Sequence, residues 1–339
     1  MRDYRDYSLK GHNTFGIEAK CERFLEFETV EEAQQVAEIL RTASLPYIII
    51  GGGSNLLLTK DYPGIVVRSD ILGFYVDGER MTCGSGEVFD EMVEASLMAG
   101  LYGLENLSLI PGDVGASAVQ NIGAYGVEAK DYIETIEAVE IATGKVVRMM
   151  GQDCGYGYRQ SLFKTVWKNQ YLITHVTYRL LPVFEPHLDY GNIRQEIAKN
   201  FTSGPVPSKR FGAKEVRQTI IGMREAKLPD PKVMGNAGSF FMNPIVSRAT
   251  FEVLVKEYPQ MPHYEVDEGH VKIPAGWMID QCGWKGKTLG RAGVHDKQAL
   301  VLVNRGGATG QEIVDLCQAI QKDVKEKFGV DLKPEVNII

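Results

Sequence analysis

Apolar positions recur every three to four residues from Val30 to Thr42, which predicts an amphipathic helix. Thr29 is placed to cap it, and Glu31 and Glu32 suit its first turn. A continuous apolar run, Leu45 to Ile50, follows and stops at Gly51-Gly52-Gly53-Ser54-Asn55. Two further short runs, Leu56-Leu57-Leu58 and Ile65-Val66-Val67, flank the turn signature Asp61-Tyr62-Pro63-Gly64. A dinucleotide fold of the Rossmann type would open a helix directly after the glycines. Here the pattern returns to strand, which disfavours that fold.

From about residue 69 to 182 strand patterns dominate, with one helix expected at Val88 to Met98. Tyr132 to Ile141 and Lys145 to Met149 flank Ala142-Thr143-Gly144 and predict a β-hairpin. Tyr171 to Leu181 is a further strand, closed by Pro182. A second glycine-rich block runs from Ile110 to Gly126, nearly free of charge, and reads as a small-residue loop. The stretch Thr202 to Ser208 reads as a linker before a helix at Ala213 to Glu225, and Glu257 to Gly269 as a mobile surface loop. Gln298 to Val303 predicts a strand, and Gln311 to Phe328 an amphipathic helix between Thr309 and Gly329. Pro334 to Ile339 reads as a final strand. No internal repeat is visible.

The length of 339 residues suggests two or three domains. No run of about 18 apolar residues is present. The charged start lacks the apolar stretch of a signal peptide, so a cytoplasmic location is expected. Net charge is 37 minus 44, or −7, which gives no basic footprint for nucleic acid. Glycine, at 36 of 339 residues, exceeds the usual share of about 7%. The five cysteines are widely spaced with no C-x-x-C, which predicts buried free thiols, a catalytic thiol being the alternative. The six histidines include no H-E-x-x-H, so no metal is expected.

Two glycine-rich blocks about sixty residues apart let main-chain amides approach an elongated anion, and a pyrophosphate cofactor is the favoured reading. Tight turns are the alternative. Gly286-Lys287-Thr288 mimics a P-loop end, but Gln281 stands where its first glycine belongs. Ser161-Leu162-Phe163-Lys164 matches S-x-x-K without the companion motifs, and G-x-S-x-G is absent. In Gly155-Tyr156-Gly157-Tyr158-Arg159-Gln160-Ser161, an arginine and two aromatics on a glycine framework could clamp a carboxylate, a turn with a surface arginine being the alternative. Ser239, between Gly238 and two phenylalanines, could be a proton donor or a turn residue; Glu335 alternates with apolar neighbours and by itself reads as solvent-facing.

Taken in order, Gly51-Gly52-Gly53-Ser54-Asn55, Ile110-Pro111-Gly112, Gln120-Asn121-Ile122-Gly123-Ala124-Tyr125-Gly126, Tyr158 to Lys164, Gly235 to Phe241 and Pro334-Glu335-Val336 resemble the bacterial UDP-N-acetylenolpyruvoylglucosamine reductase family, MurB. The resemblance runs from about residue 12 to the end and points to the longer subtype, which has a Tyr190 segment and a Tyr264 loop. It implies an α+β protein: an FAD-binding fold of the vanillyl-alcohol oxidase type made of two subdomains, plus a substrate-binding domain. The expected division is 1–68 with a returning strand at 330–339, then 69–205, then 206–329. It implies non-covalent FAD, NADPH as co-substrate, peptidoglycan synthesis as the setting, and a monomer acting on small molecules without nucleic acid or membrane. By the same resemblance Arg159, Ser239 and Glu335 are catalytic. FAD is expected on Gly51, Gly52, Gly53, Ser54, Asn55, Ile110, Pro111, Gly112, Gly115, Ala116, Ser117, Val119, Gln120, Asn121, Gly123, Ala124, Tyr125 and Ile173. Substrate is expected on Tyr158, Tyr190, Lys227, Asn243, Tyr264, Lys285 and Gln298. Met242 and Asn337 stand where relatives often carry basic residues, which removes positive charge there.

Overall fold

The computed structural model describes residues 1–202 and 211–339. The chain forms two compact units: Met1–Tyr7, Cys21–Gly52 and Pro63–Ala226 make the first, and Ser8–Lys20, Gly53–Tyr62 and Lys227–Ile339 the second.

Among the described residues the first unit holds two larger sheets, each with its own helical cover and core, and one two-stranded sheet. Strands β1 (Arg2–Ser8), β2 (Lys20–Phe27), β3 (Tyr47–Ile50) and β5 (Tyr62–Ser69) assemble in the order β1-β2-β5-β3. Helix α1 (Val30–Thr42) covers this sheet with Ala33, Val36, Ala37 and Leu40. Thr29 Oγ1 accepts the Glu32 amide at 3.1 Å, the cap that the sequence predicts. β1 is a strand the hydrophobic pattern does not reveal. It is a charged edge, of the kind that discourages pairing with other chains.

The second sheet runs β11-β10-β12-β7-β6, where β6 is Phe74–Asp77, β7 Arg80–Gly84, β10 Ile133–Glu140, β11 Val146–Met150 and β12 Tyr171–Arg179. β10 and β11 pair antiparallel, Val139 opposite Val146, as the expected hairpin. Helix α2 (Phe89–Met98) sends Phe89, Met92 and Val93 into the core of this sheet. α3 (Val114–Gln120) contributes Val114 and Ala118 to the same core. α3 corrects the loop reading of the second glycine block. Ala116, Ser117, Ala118 and Val119 carry no helix breaker, and Asn121 ends the turn at φ +47. Its small residues serve close packing: a Cβ on Gly115 would lie 2.9 Å from Ser85 Cβ. The two-residue strands β8 (Gly123–Ala124) and β9 (Val127–Glu128) follow. Helices α4 (Ile193–Ile197) and α5 (Ala213–Lys227) bury Ile193, Ile197, Val216 and Ile220 together. Most of the expected Thr202 to Ser208 linker and the expected 205/206 boundary lie outside the described residues.

In the second unit, β13 (Asn236–Ser239) pairs with β19 (Val301–Asn304), followed by β18 (Ala292–Val294) and β17 (Thr288–Leu289). Helix α8 (Gly310–Phe328) presents Ile313, Leu316, Ile320 and Val324 to the core between a Thr309/Glu312 capping box and left-handed Gly329. The loop expected at Glu257 to Gly269 is in part a hairpin. β15 (Tyr264–Asp267) pairs with β16 (His270–Lys272), and β14 (Ile245–Ser247) flanks it. Asp267 Oδ1 accepts the Gly269 amide at 2.8 Å, which closes the turn that polarity alone made look like open loop. Helices α6 (Arg248–Glu257) and α7 (Ala275–Gln281) complete the unit. The C-terminal strand is short: β20 (Asn337–Ile338) runs parallel to β4 (Leu56–Leu57). Gln298 precedes β19 rather than lying in it, because its side-chain Oε1 accepts the Leu300 amide at 3.3 Å and holds a turn there.

Candidate active site

In the first unit, the turn at Gly51–Gly52 lies against α3. A Cβ on Gly51 would lie 3.0 Å from Ala116 Cβ, and one on Gly52 only 2.8 Å from Asp113 Oδ1. Bare backbone is therefore required on this surface. Around it, Ile110, Gly112, Ala116, Val119, Gln120, Gly123, Ala124 and Tyr125 are all half-buried, and Pro111 is exposed. Other expected cofactor residues are used internally. The Ser117 hydroxyl donates to Val114 O at 2.7 Å and stands 2.8 Å from Tyr178 OH, both in the core. Asn121 donates through Nδ2 to Gly157 O at 2.8 Å, and Ile173 O accepts Ser85 Oγ at 2.7 Å. These side chains shape the surface, and their neighbours present it.

Arg159 sits at the tip of a tight turn closed by Gly157 and Gln160, which exchange backbone hydrogen bonds at 3.1 and 3.0 Å. Its φ is +55, a conformation costing a non-glycine residue on the order of 1 kcal/mol and concentrated at functional sites. Its guanidinium donates to Gly123 O and Asn121 O and lies 5.2 Å over the Tyr158 ring. A Cβ on Gly123 would lie 2.9 Å from Arg159 Nη1, so that glycine makes room for the arginine. Lys164, which the sequence offered only as the end of an unsupported S-x-x-K match, donates from Nζ to Arg159 O at 2.9 Å and to Gln120 Oε1 at 2.8 Å. It ties the arginine turn to α3. Tyr190 packs edge-on to Tyr125 at 6.3 Å, its side chain near Gly126.

The second unit holds Ser239 and Glu335. Asn236 Oδ1 accepts the Gly238 amide at 2.9 Å, Gly238 adopts φ +66, and the β13–β19 register slips there. A bulge re-aims the next side chain. Ser239 is accordingly exposed while Phe240 and Phe241 are buried to 1%, their rings edge-on at 5.2 Å. Glu335 lies beside this strand: its amide donates to Phe240 O at 2.8 Å, and its carbonyl accepts Asn55 Nδ2 at 3.2 Å. The structure thus brings Ser239, Glu335 and Asn55 to one neighbourhood. Gly53 is forced there too, with φ +69 and its hypothetical Cβ 1.9 Å from His12 O. Ser54 is half-buried beside it.

Three expected substrate residues gather around α7. Asn243 Oδ1 accepts the Ala275 amide at 2.9 Å, Gln298 Oε1 lies near Gly276, and Lys285 pairs with Asp280 at 3.5 Å. Tyr264 is exposed on β15, with Lys272 Nζ 5.7 Å over its ring. Lys227 is exposed at the end of α5. The cysteines are unpaired, and four of the five are buried. Burial pushes the Cys83 and Cys317 thiols up to about 12 and those of Cys21 and Cys154 to about 11, which suits packing and not nucleophilic attack. Asp113 also escaped the sequence reading, although it is the single charged residue of the block Ile110 to Gly126.

Residues 230–339 match the model of the C-terminal domain of UDP-N-acetylenolpyruvoylglucosamine reductases, and residues 22–150 match an FAD-binding domain. The UDP-N-acetylenolpyruvoylglucosamine reductase of Bacteroides fragilis strain YCH46 is 53% identical over 338 residues, covering 98% of this chain and 99% of its own. The chain belongs to the UDP-N-acetylenolpyruvoylglucosamine reductase family. A Flavobacterium johnsoniae relative of the same name is 44% identical over the full length of both chains. The crystal structure of MurB from Thermus caldophilus superposes with a TM-score of 0.69 at 23% identity, covering 100% of this chain and 99% of that one. The fold is the family's α+β, FAD-binding fold. FAD fits the residues present: Gly51 and Gly52 carry no side chain, and half-buried small residues, Gly112, Ala116, Gly123 and Ala124, lie around them.

Proposed function

We infer that this protein is a flavoenzyme of peptidoglycan synthesis. With FAD and NADPH it reduces the enolpyruvyl ether of UDP-N-acetylglucosamine to UDP-N-acetylmuramate. The observation that carries this is the 53% identity to a reductase of that name across 98% of the chain. FAD, when bound, supplies the hydride chemistry.

The chain's own residues handle charge and protons. As hydride reaches C3 of the enol ether, negative charge develops on C2 and spreads into the adjoining carboxylate. We assign Arg159 to that carboxylate, because a planar fork matches its two oxygens. Its existing bonds to Gly123 and Asn121 carbonyls hold the guanidinium in one orientation before substrate arrives. Glu335 we assign to the same charge; a carboxyl helps there as a neutral donor or through water. Ser239 donates the proton to C2, and its exposure at the bulge leaves the hydroxyl open to water that can reprotonate it. Tyr158, Tyr190, Lys227, Asn243, Tyr264, Lys285 and Gln298 are assigned to the nucleotide-sugar, whose diphosphate calls for cations and donors.

The FAD surface we place on Gly51 to Asn55, on Ile110 to Gly112, Gly115 to Ser117, Val119 to Asn121 and Gly123 to Tyr125, and on Ile173, and we divide the chain into 1–68 with 330–339, 69–205 and 206–329. UDP-sugars and NADPH are cytoplasmic metabolites, so the reaction is placed there, and the protein is read as a monomer, which light scattering on the purified chain tests. The test of function is a stopped-flow pair. NADPH should bleach the yellow protein, and the enolpyruvyl nucleotide should reoxidise it anaerobically. Failure of the second step sinks the reductase reading.

A further inference from the structure

The side chain of Asp113 stands at the N-cap of α3, yet it caps nothing. It turns instead under the glycine turn, where it accepts the Gly52 amide. It is 6% exposed, and its Oδ2 has no hydrogen-bond partner among the described residues. Among the described residues, the cation that faces it is Arg68, whose Nη2 stands off at 3.8 Å. Arg68 is already engaged: Nη1 lies 2.8 Å from Glu26, itself 4% exposed, and 3.5 Å from Asp70. Arg2 shares the same acids, at 2.5 Å from Glu26 and 3.6 Å from Asp70. Arg2 also pairs with Glu28 at 2.5 Å, so two arginines serve four carboxylates, and Asp113 has the longest contact and one open oxygen. Burial first, then Asp70, pushes its carboxyl up to about 6, against the pull of Arg68 and the Gly52 amide.

We propose that Asp113 is a positioning residue of the cofactor cradle that takes up a proton when FAD binds. This rests on placing the dinucleotide against Gly51 and Gly52. The proton goes from solvent to Oδ2 of the carboxylate, so that the anionic pyrophosphate meets a neutral acid with an O–H to donate. Oδ1 keeps the Gly52 amide in either state, so the glycine turn holds its shape. Because one proton enters with the cofactor, FAD affinity falls as pH rises above the carboxyl's own midpoint.

The test is the Kd of FAD for apoprotein of the full chain, read by quenching of flavin fluorescence at constant ionic strength. Free FAD has no titrating group between pH 6 and 8. The wild type should weaken by about fivefold from pH 6 to 7 and by nearly tenfold from pH 7 to 8, the profile of one linked proton with a midpoint near 6. Asp113→Asn keeps the acceptor for Gly52 but cannot ionise, so it should bind at pH 8 as tightly as at pH 6. A flat wild-type profile, or a slope that persists in D113N, overturns the proposal. The placing of the cofactor is checked by Gly52→Ala, with circular dichroism to show that the variant folds. If folded G52A binds FAD as the wild type does, the cofactor lies elsewhere and both readings fall. If G52A loses FAD while the wild-type profile is flat, the proton uptake alone is wrong.

Discussion

Ser239→Ala separates chemistry from scaffolding because of where the hydroxyl sits. The bulge is built by Asn236 Oδ1 and left-handed Gly238, and the following Phe240 and Phe241 carry the packing. Removing one exposed hydroxyl touches neither, so stability should change by no more than about 0.5 kcal/mol, a melting shift of about 2 °C or less. The proton transfer is another matter. Loss of a positioned donor costs about 10²–10⁴ in rate, equivalent to about 3–5 kcal/mol of barrier. The assay is the stopped-flow pair. Flavin bleaching by NADPH involves no proton to C2, so it should run at the wild-type rate. Anaerobic reoxidation by the enolpyruvyl nucleotide should slow by that factor, and Ser239→Cys should recover part of it, a thiol being the better acid. Equal losses in both half-reactions would refute the reasoning and make the serine a binding residue.

Arg159→Lys keeps the charge but loses the fork and the bonds to both the Gly123 and Asn121 carbonyls; reoxidation should fall by about 10²-fold with flavin content unchanged, as read by absorbance. Gly235→Ala places a methyl 2.2 Å from Phe15 O, and since that partner is backbone the variant should lose about 2 kcal/mol or more, seen as a lowered midpoint in urea. Thr309→Ala breaks the capping box of α8 and should cost about 1 kcal/mol by thermal melting at neutral pH. The Glu312 partner in that box is held down to about 2 by Arg291 and the Thr309 amide. A carboxyl lowered by folding stabilises above its unfolded value near 4.3 and ceases to as pH falls toward 2. Wild-type stability should therefore decline through that window, and Glu312→Gln should decline less steeply.

What was legible in the chain follows from the range of the interactions involved. α1 and α8 announce themselves through periodicity and local caps, with Thr29 and Thr309 each within three residues of the amide it receives. The β10–β11 hairpin is equally local. α3 was hidden because its residues are chosen for closeness to Ser85 and Gly51, so small side chains replaced the apolar stripe that marks a helix. β1 was hidden for the opposite reason: an edge strand bears charge, and its register comes from a neighbour in the sheet. At the site, Arg159 stood out as an arginine among glycines, but its left-handed backbone and its Lys164 brace depend on contacts that no spacing encodes. Ser239 and Glu335 are nearly a hundred residues apart, and the backbone bond from Glu335 to Phe240 that sets them side by side belongs to tertiary pairing. Asp113 is the sharpest case. Read in sequence it is a charged residue in a small-residue loop, and only the fold shows that Arg68, the cation facing it among the described residues, is already committed to Glu26 and Asp70.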